Sequence, residues 1–112
     1  MRFFGYTLDS ESAPQTPPNP EMMAEMGKFV QEATDAGVLI ATGGIAPTDQ
    51  GVKIVNSGGN LTITDGPFAE AKEIVGGWAL MEADTIEEAL EWAKRFRLIA
   101  GDGESRLRPV MF

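Results

Sequence analysis

Residues 74–81, Ile74-Val75-Gly76-Gly77-Trp78-Ala79-Leu80-Met81, form an almost unbroken apolar run that contains two adjacent glycines. A segment this short and this apolar reads as a strand in the middle of a sheet, packed on both faces and approached closely by another backbone at the glycines. The flanking sequence must therefore supply the partner strands and the cover for each face.

It supplies them in a regular order. Arg2-Phe3-Phe4-Gly5-Tyr6-Thr7-Leu8 is rich in β-favouring aromatic residues and reads as a first strand. Residues 9–19 then hold Pro14, Pro17 and Pro18, which forbid a regular ladder and predict a surface loop. Asn19-Pro20-Glu21 combines an N-cap, a proline at the first helical position and an acid in the first turn. Met22, Met26, Phe29, Val30 and Ala33 follow at helical spacing up to a stop at Gly37. Val38-Leu39-Ile40-Ala41-Thr42 reads as a second strand, with Gly43-Gly44 permitting a bulge or a close approach. Val52-Lys53-Ile54-Val55 and Leu61-Thr62-Ile63-Thr64 flank Asn56-Ser57-Gly58-Gly59-Asn60 and predict a hairpin with one buried and one wet face. After the apolar run, Asp84 is the expected N-cap and Glu87 its partner. Ile86, Ala89, Leu90, Ala93 and Phe96 form the apolar stripe of a second helix that ends near Gly101. Residues 105–112 read as a last strand, placed at an edge or a bulge by Pro109.

The order β-α-β-hairpin-β-α-β is that of two split βαβ units. It predicts one domain over residues 1–112, an α+β, ferredoxin-like β-α-β-β-α-β sandwich with an extra β-hairpin. Two helices cover one sheet face, and the central strand is apolar on both, so the second face is expected to be buried by another copy of the chain in a homodimer.

Composition narrows the chemistry. With neither cysteine nor histidine, the chain has no disulfide, thiolate metal site, imidazole base or His-dependent triad. No cofactor or metal is expected, because the paired glycines lack the lysine of a phosphate loop and no carboxylate spacing resembles a cation site. A net charge of −8 repels phosphate backbones and anionic lipid, so neither nucleic acid nor membrane is an expected partner, and the cytoplasm is the expected location. Acid–base work falls to carboxylates, lysine or Tyr6.

Such groups gather in Thr64-Asp65-Gly66-Pro67-Phe68-Ala69-Glu70-Ala71-Lys72-Glu73, between two predicted strands. Asp65, Glu70 and Glu73 are candidate proton-transfer groups, and Lys72 a candidate to hold a substrate carboxylate. Tyr6, Phe68 and Trp78 are candidate ligand contacts or pocket walls. Each has a plainer alternative. Asp65 can serve as an Asx-turn acceptor, the other ionisable groups as a solvated charge cluster, and the aromatics as core.

Asp65-Gly66-Pro67-Phe68-Ala69-Glu70 with Lys72-Glu73, then Gly76-Gly77-Trp78, Glu87-Glu88-Ala89-Leu90-Glu91-Trp92 and Arg108-Pro109-Val110-Met111, resembles the YCII-related proteins, in the branch named for its DGPF motif. Ala36-Gly37-Val38-Leu39, Gly43-Gly44 and Pro47 fit as well. The resemblance implies a ferredoxin-like protomer pairing sheet to sheet as a dimeric α/β barrel. It also implies kinship with muconolactone isomerases and chloromuconolactone dehalogenases, which hold small acids or lactones between sheet and helices. In compact relatives it implies a His–Asp pair, of which this chain retains only the carboxylate, at Asp65.

Two functions follow as expectations. One is small-molecule binding in an internal pocket beside the DGPF turn, with isomerase- or lyase-like carboxylate chemistry on a small organic acid or lactone. The other is a non-catalytic interaction or regulatory module that binds a protein partner.

Overall fold

The computed structural model describes residues 1–9, 19–67 and 74–111; residues 10–18 of the proline-rich loop lie outside them. Six strands and two helices follow one another as β1 (Arg2–Asp9), α1 (Pro20–Asp35), β2 (Leu39–Gly44), β3 (Val52–Ser57), β4 (Asn60–Asp65), β5 (Ile74–Glu82), α2 (Ile86–Ala100) and β6 (Glu104–Pro109), with a short 3-10 turn at Thr48–Gln50. Four strands form a sheet in the order β2-β5-β1-β6, while β3 and β4 pair only with each other. Every pairing is antiparallel. This α+β topology is compatible with the ferredoxin-like arrangement, and β6 takes the edge position that Pro109 requires.

The apolar run is central, as its composition predicts. β1 and β5 run in register from Arg2 opposite Glu82 to Tyr6 opposite Trp78, then shift before Leu8 meets Val75. At that bulge the Gly77 amide donates to Thr7 Oγ1 at 2.8 Å, and a Cβ on Gly77 would lie 3.4 Å from the same oxygen. The glycine thus lets a threonine side chain replace a ladder acceptor where the register slips.

Alternation along β1 sends Phe3 to one face and Phe4 and Tyr6 to the other. Phe3 is fully buried with Ala83 and Ala89, and Leu107 packs against them, so α2 covers this face over β1 and β6. α1 lies beside β2 and against α2. Phe29 and Trp92 meet at 6.0 Å between ring centroids. Arg95 lies over both rings at 5.2 and 4.9 Å and donates through two guanidinium nitrogens to the Glu32 carboxylate.

Helix ends follow local chemistry. The Asn19 side chain accepts from the Met22 amide, and α1 closes with the Gly37 amide bonded to Thr34 O and the Val38 amide to Ala33 O. The N-cap of α2 is Thr85, one residue beyond the expected Asp84: its side chain accepts from the Glu88 amide, while Glu88 reaches back to the Asp84 amide. Threonine caps because its hydroxyl reaches the Glu88 amide three residues on, while the Glu88 carboxylate takes the amide that precedes the cap. The apolar stripe turns with it, so Ile86 and Leu90 are exposed and the half-buried Trp92, Ala93 and Phe96 extend the buried position of Ala89.

Two further expectations are corrected. Residues 75–80 are half-buried rather than buried on both sides, because no described element lies on the Phe4–Tyr6 face. The β3–β4 hairpin has no buried face, since every residue of both strands is exposed.

The hydrogen bond from Arg95 holds the Glu32 carboxyl below its ordinary value, with burial opposing the shift. An acid whose pKa is lower in the folded state stabilises the fold above its unfolded pKa and loses that contribution as the pH falls through the folded one. Glu32→Gln should therefore lower the melting temperature at neutral pH. The difference from wild type should narrow as the pH falls below the ordinary carboxylate range and the folded-state carboxyl takes up its proton. A difference constant across melting scans over that range would exclude this coupling.

Candidate functional site

The uncovered face of the sheet holds a concavity with the makings of a ligand site. Strand alternation places Phe4 and Tyr6 on it from β1, Trp78 and Leu80 opposite them from β5, and Arg106 and Arg108 opposite Tyr6 and Phe4 from β6. Phe4 lies 5.7 Å from Tyr6 and 6.2 Å from Trp78 between ring centroids, nearly parallel to the indole at 15°. A solvent-open pocket of about 400 Å³ is lined by Phe4, Tyr6, Val75, Arg108 and Pro109.

The local sequence explains this assembly. Phe4 and Tyr6 are two apart and so share a face, and the bulge after Tyr6 brings Val75 to the rim opposite Leu8. Gly43 sits under Trp78, where a Cβ would lie 3.2 Å from the indole, so a side chain at 43 would force the ring to move. Arg106 is drawn to Glu104, with Nε donating to the carboxylate at 2.7 Å. Arg108 presents its guanidinium at the exposed lip of the pocket. An aromatic wall, a phenol and a guanidinium suit a flat ligand that carries a carboxylate.

The structure brings some of the expected residues together and leaves others apart. Tyr6 lines the pocket, and Trp78 borders it through its stack on Phe4. Asp65 is the last residue of β4, exposed, opposite Val52 at the root of the hairpin, and outside the pocket lining. Phe68, Glu70, Lys72 and Glu73 lie outside the described residues. Sequence reasoning missed Phe4, Val75, Arg108 and Pro109. The available signal was alternation, because Phe4 shares a face with Tyr6 and Arg108 shares one with Arg106.

The DGP turn is a packed corner. A Cβ on Gly66 would fall 1.7 Å from the Thr48 carbonyl oxygen, and the Gly66 amide donates to Gly51 O at 2.9 Å. Gly66 does not use the positive φ that glycine permits; its missing side chain is what lets the 3-10 turn dock. The corner thereby fixes the hairpin root against the 3-10 turn. Among the described residues, no three carboxylates gather as a metal-binding group, and no helix is long and apolar enough to cross a membrane.

Two comparisons bear on this fold and site. The family model described as the YCII-related domain matches residues 1–111. The chain is also similar to a protein of Rhizobium meliloti (strain 1021) named uncharacterized protein R00369, with 30% identity over 73 residues that cover 65% of this chain. The match spans 59% of that relative's length.

Gly66→Ala should cost about 3 kcal/mol, at the upper end for overpacking because the obstacle is backbone. Asp65→Asn, at an exposed position, should change stability by less than about 0.5 kcal/mol. Urea unfolding of both variants checks the pair, and a tolerated alanine at 66 would contradict the docked corner.

Proposed function

The chain belongs to the YCII-related family, and from its open sheet face we propose that it is a homodimeric protein that binds a small planar organic acid or its lactone. The observation that carries this reading is the pocket itself, with Arg108 at the lip of an aromatic floor made by Phe4 and Tyr6. Arg108 would take the carboxylate in a charge-assisted pair, the rings would cover the flat body, and the Tyr6 hydroxyl would mark a polar edge.

Homodimer formation would turn this open pocket into an enclosed one by laying a second sheet face over it, in the manner of a dimeric α/β barrel. Support comes from the imbalance of apolar surface. Among the described residues, seven hydrophobic residues are buried and thirteen large ones are exposed; Ile40 in β2, Ile45 just after it and five on the β3–β4 hairpin are apolar surface that a second copy would help to cover. Asp65, Glu70 and Glu73 are the groups proposed for isomerase- or lyase-like proton transfer, with Phe68 and Lys72 as further ligand contacts. Their placement in the chain favours this, since six residues join Pro67 to β5 and Glu73 stands two positions before the pocket residue Val75. The competing reading, a non-catalytic interaction module, has no need of ligand-dependent stabilisation.

A thermal-shift series with aryl carboxylates and their neutral amides tests the binding step. A carboxylate at a hundred times its Kd should add about 2.7 kcal/mol of stability. Arg108→Gln should weaken it about tenfold or more, as expected for a lost hydrogen bond to a charged group. Amides that bind as well as the acids, or a silent series, would reject the site. For a lactone that binds, deuterium exchange at its acidic carbon should vanish in Asp65→Asn while affinity stays. Undiminished exchange would remove Asp65 from the chemistry.

A further inference from the structure

Among the described residues, nothing covers the β3–β4 hairpin, all of whose strand residues are exposed. Its register is complete, from Val52 opposite Asp65 to Ser57 opposite Asn60. Gly58 and Gly59 turn it with φ of 60° and 91°, and the Asn56 side chain accepts from the Gly59 amide at 3.0 Å. That register sorts the side chains. Val52, Ile54, Leu61 and Ile63 share one face with Asn56 near the turn and Asp65 at the root, and Lys53, Thr62 and Thr64 share the other with Val55, Ser57 and Asn60. The four aliphatic residues of the first face are 56%, 63%, 65% and 67% exposed. A lone two-stranded hairpin is marginal in water, and this one presents a largely apolar face that no described residue covers.

We infer that the hairpin is an exchange arm whose Val52–Ile54–Leu61–Ile63 face packs on a second copy of the chain, and this rests on the homodimer proposed above. Area favours that occupant. Four strands averaging about seven residues give the open sheet a footprint of roughly 450 Å². A standard interface buries about 800 Å² per partner, and obligate homodimers bury more. A reciprocal arm, counted twice by the two-fold symmetry, supplies the additional apolar area. Charge favours it too. In a chain of net charge −8, the arm carries only Lys53 and Asp65, so two copies meet there with little like-charge repulsion. The chain that leads to the arm leaves the sheet beside β5, where the Ile45 amide donates to Gly76 O at 2.7 Å.

Sedimentation equilibrium of the wild type, of Ile54→Thr with Ile63→Thr, and of Val55→Thr tests the arm. Threonine retains β-branching and so the hairpin. The double variant should raise the dimer dissociation constant at least tenfold, while Val55→Thr, on the opposite face, leaves it unchanged. A wild type that is monomeric at 50 μM would overturn the homodimer and the arm together. A dimer equally tight in the double variant would overturn the arm alone. Because the chain has no cysteine, Leu61→Cys can carry a benzophenone in a mixture of ¹⁴N- and ¹⁵N-labelled protein. Mixed-isotope crosslinks are expected, and crosslinks confined to one isotope in a dimeric sample would overturn the exchange.

Discussion

The antiparallel pairing of β1 with β5 is the contact on which the rest depends. Each of these strands carries one outer neighbour, so the pair holds the whole sheet. It also assigns every side chain of both strands to a face. In the register that sets Phe3 opposite Met81, Phe3 becomes the fully buried centre of the core and Phe4 and Tyr6 must face away from the helices. A slip by one residue would exchange the core with the pocket wall. The bulge after Tyr6, with its Thr7 to Gly77 bond, ends the strict register just where the chain needs Val75 at the pocket rim.

From that pair outward the molecule is built unequally. One sheet face has two helices joined by the Phe29, Trp92 and Arg95 stack, with the Glu32 carboxylate accepting from both terminal nitrogens of the guanidinium. The other has aromatic rings, two arginines and no described cover. In an acidic chain, Arg106 and Arg108 put two of its nine basic residues on the uncovered face, within reach of a ligand or a second copy.

Much of this was legible in the sequence, because strands and helices announce themselves by period. The apolar run of residues 74–81, the helix behind Asn19-Pro20 and the edge position forced by Pro109 rest on local rules that tertiary packing did not override. Thr85 replaced Asp84 as a cap because two overlapping signals stood one residue apart, and only the geometry of Glu88 separates them. The pocket was harder to read. Tyr6 and Trp78 were recoverable as aromatics near the centre, but Arg108 became a site residue through a strand pairing that joins opposite ends of the chain. The need for a glycine at 66 was not legible, since a contact with Thr48 leaves no trace in local sequence. The hairpin's alternation was equally plain, yet alternation states that a face wants cover without stating whether the same chain provides it.

The chain's two tryptophans stand on opposite sides of this asymmetry. Trp92 lies in the helix layer beneath a guanidinium, while Trp78 lies on the open face, parallel to Phe4 and pressed over Gly43. The molecule thus carries two intrinsic fluorophores that report on different events. Emission from Trp92 follows the joining of the helices, and emission from Trp78 follows whatever covers the sheet. Folding and occupancy can be separated optically in the unlabelled protein by replacing one indole at a time.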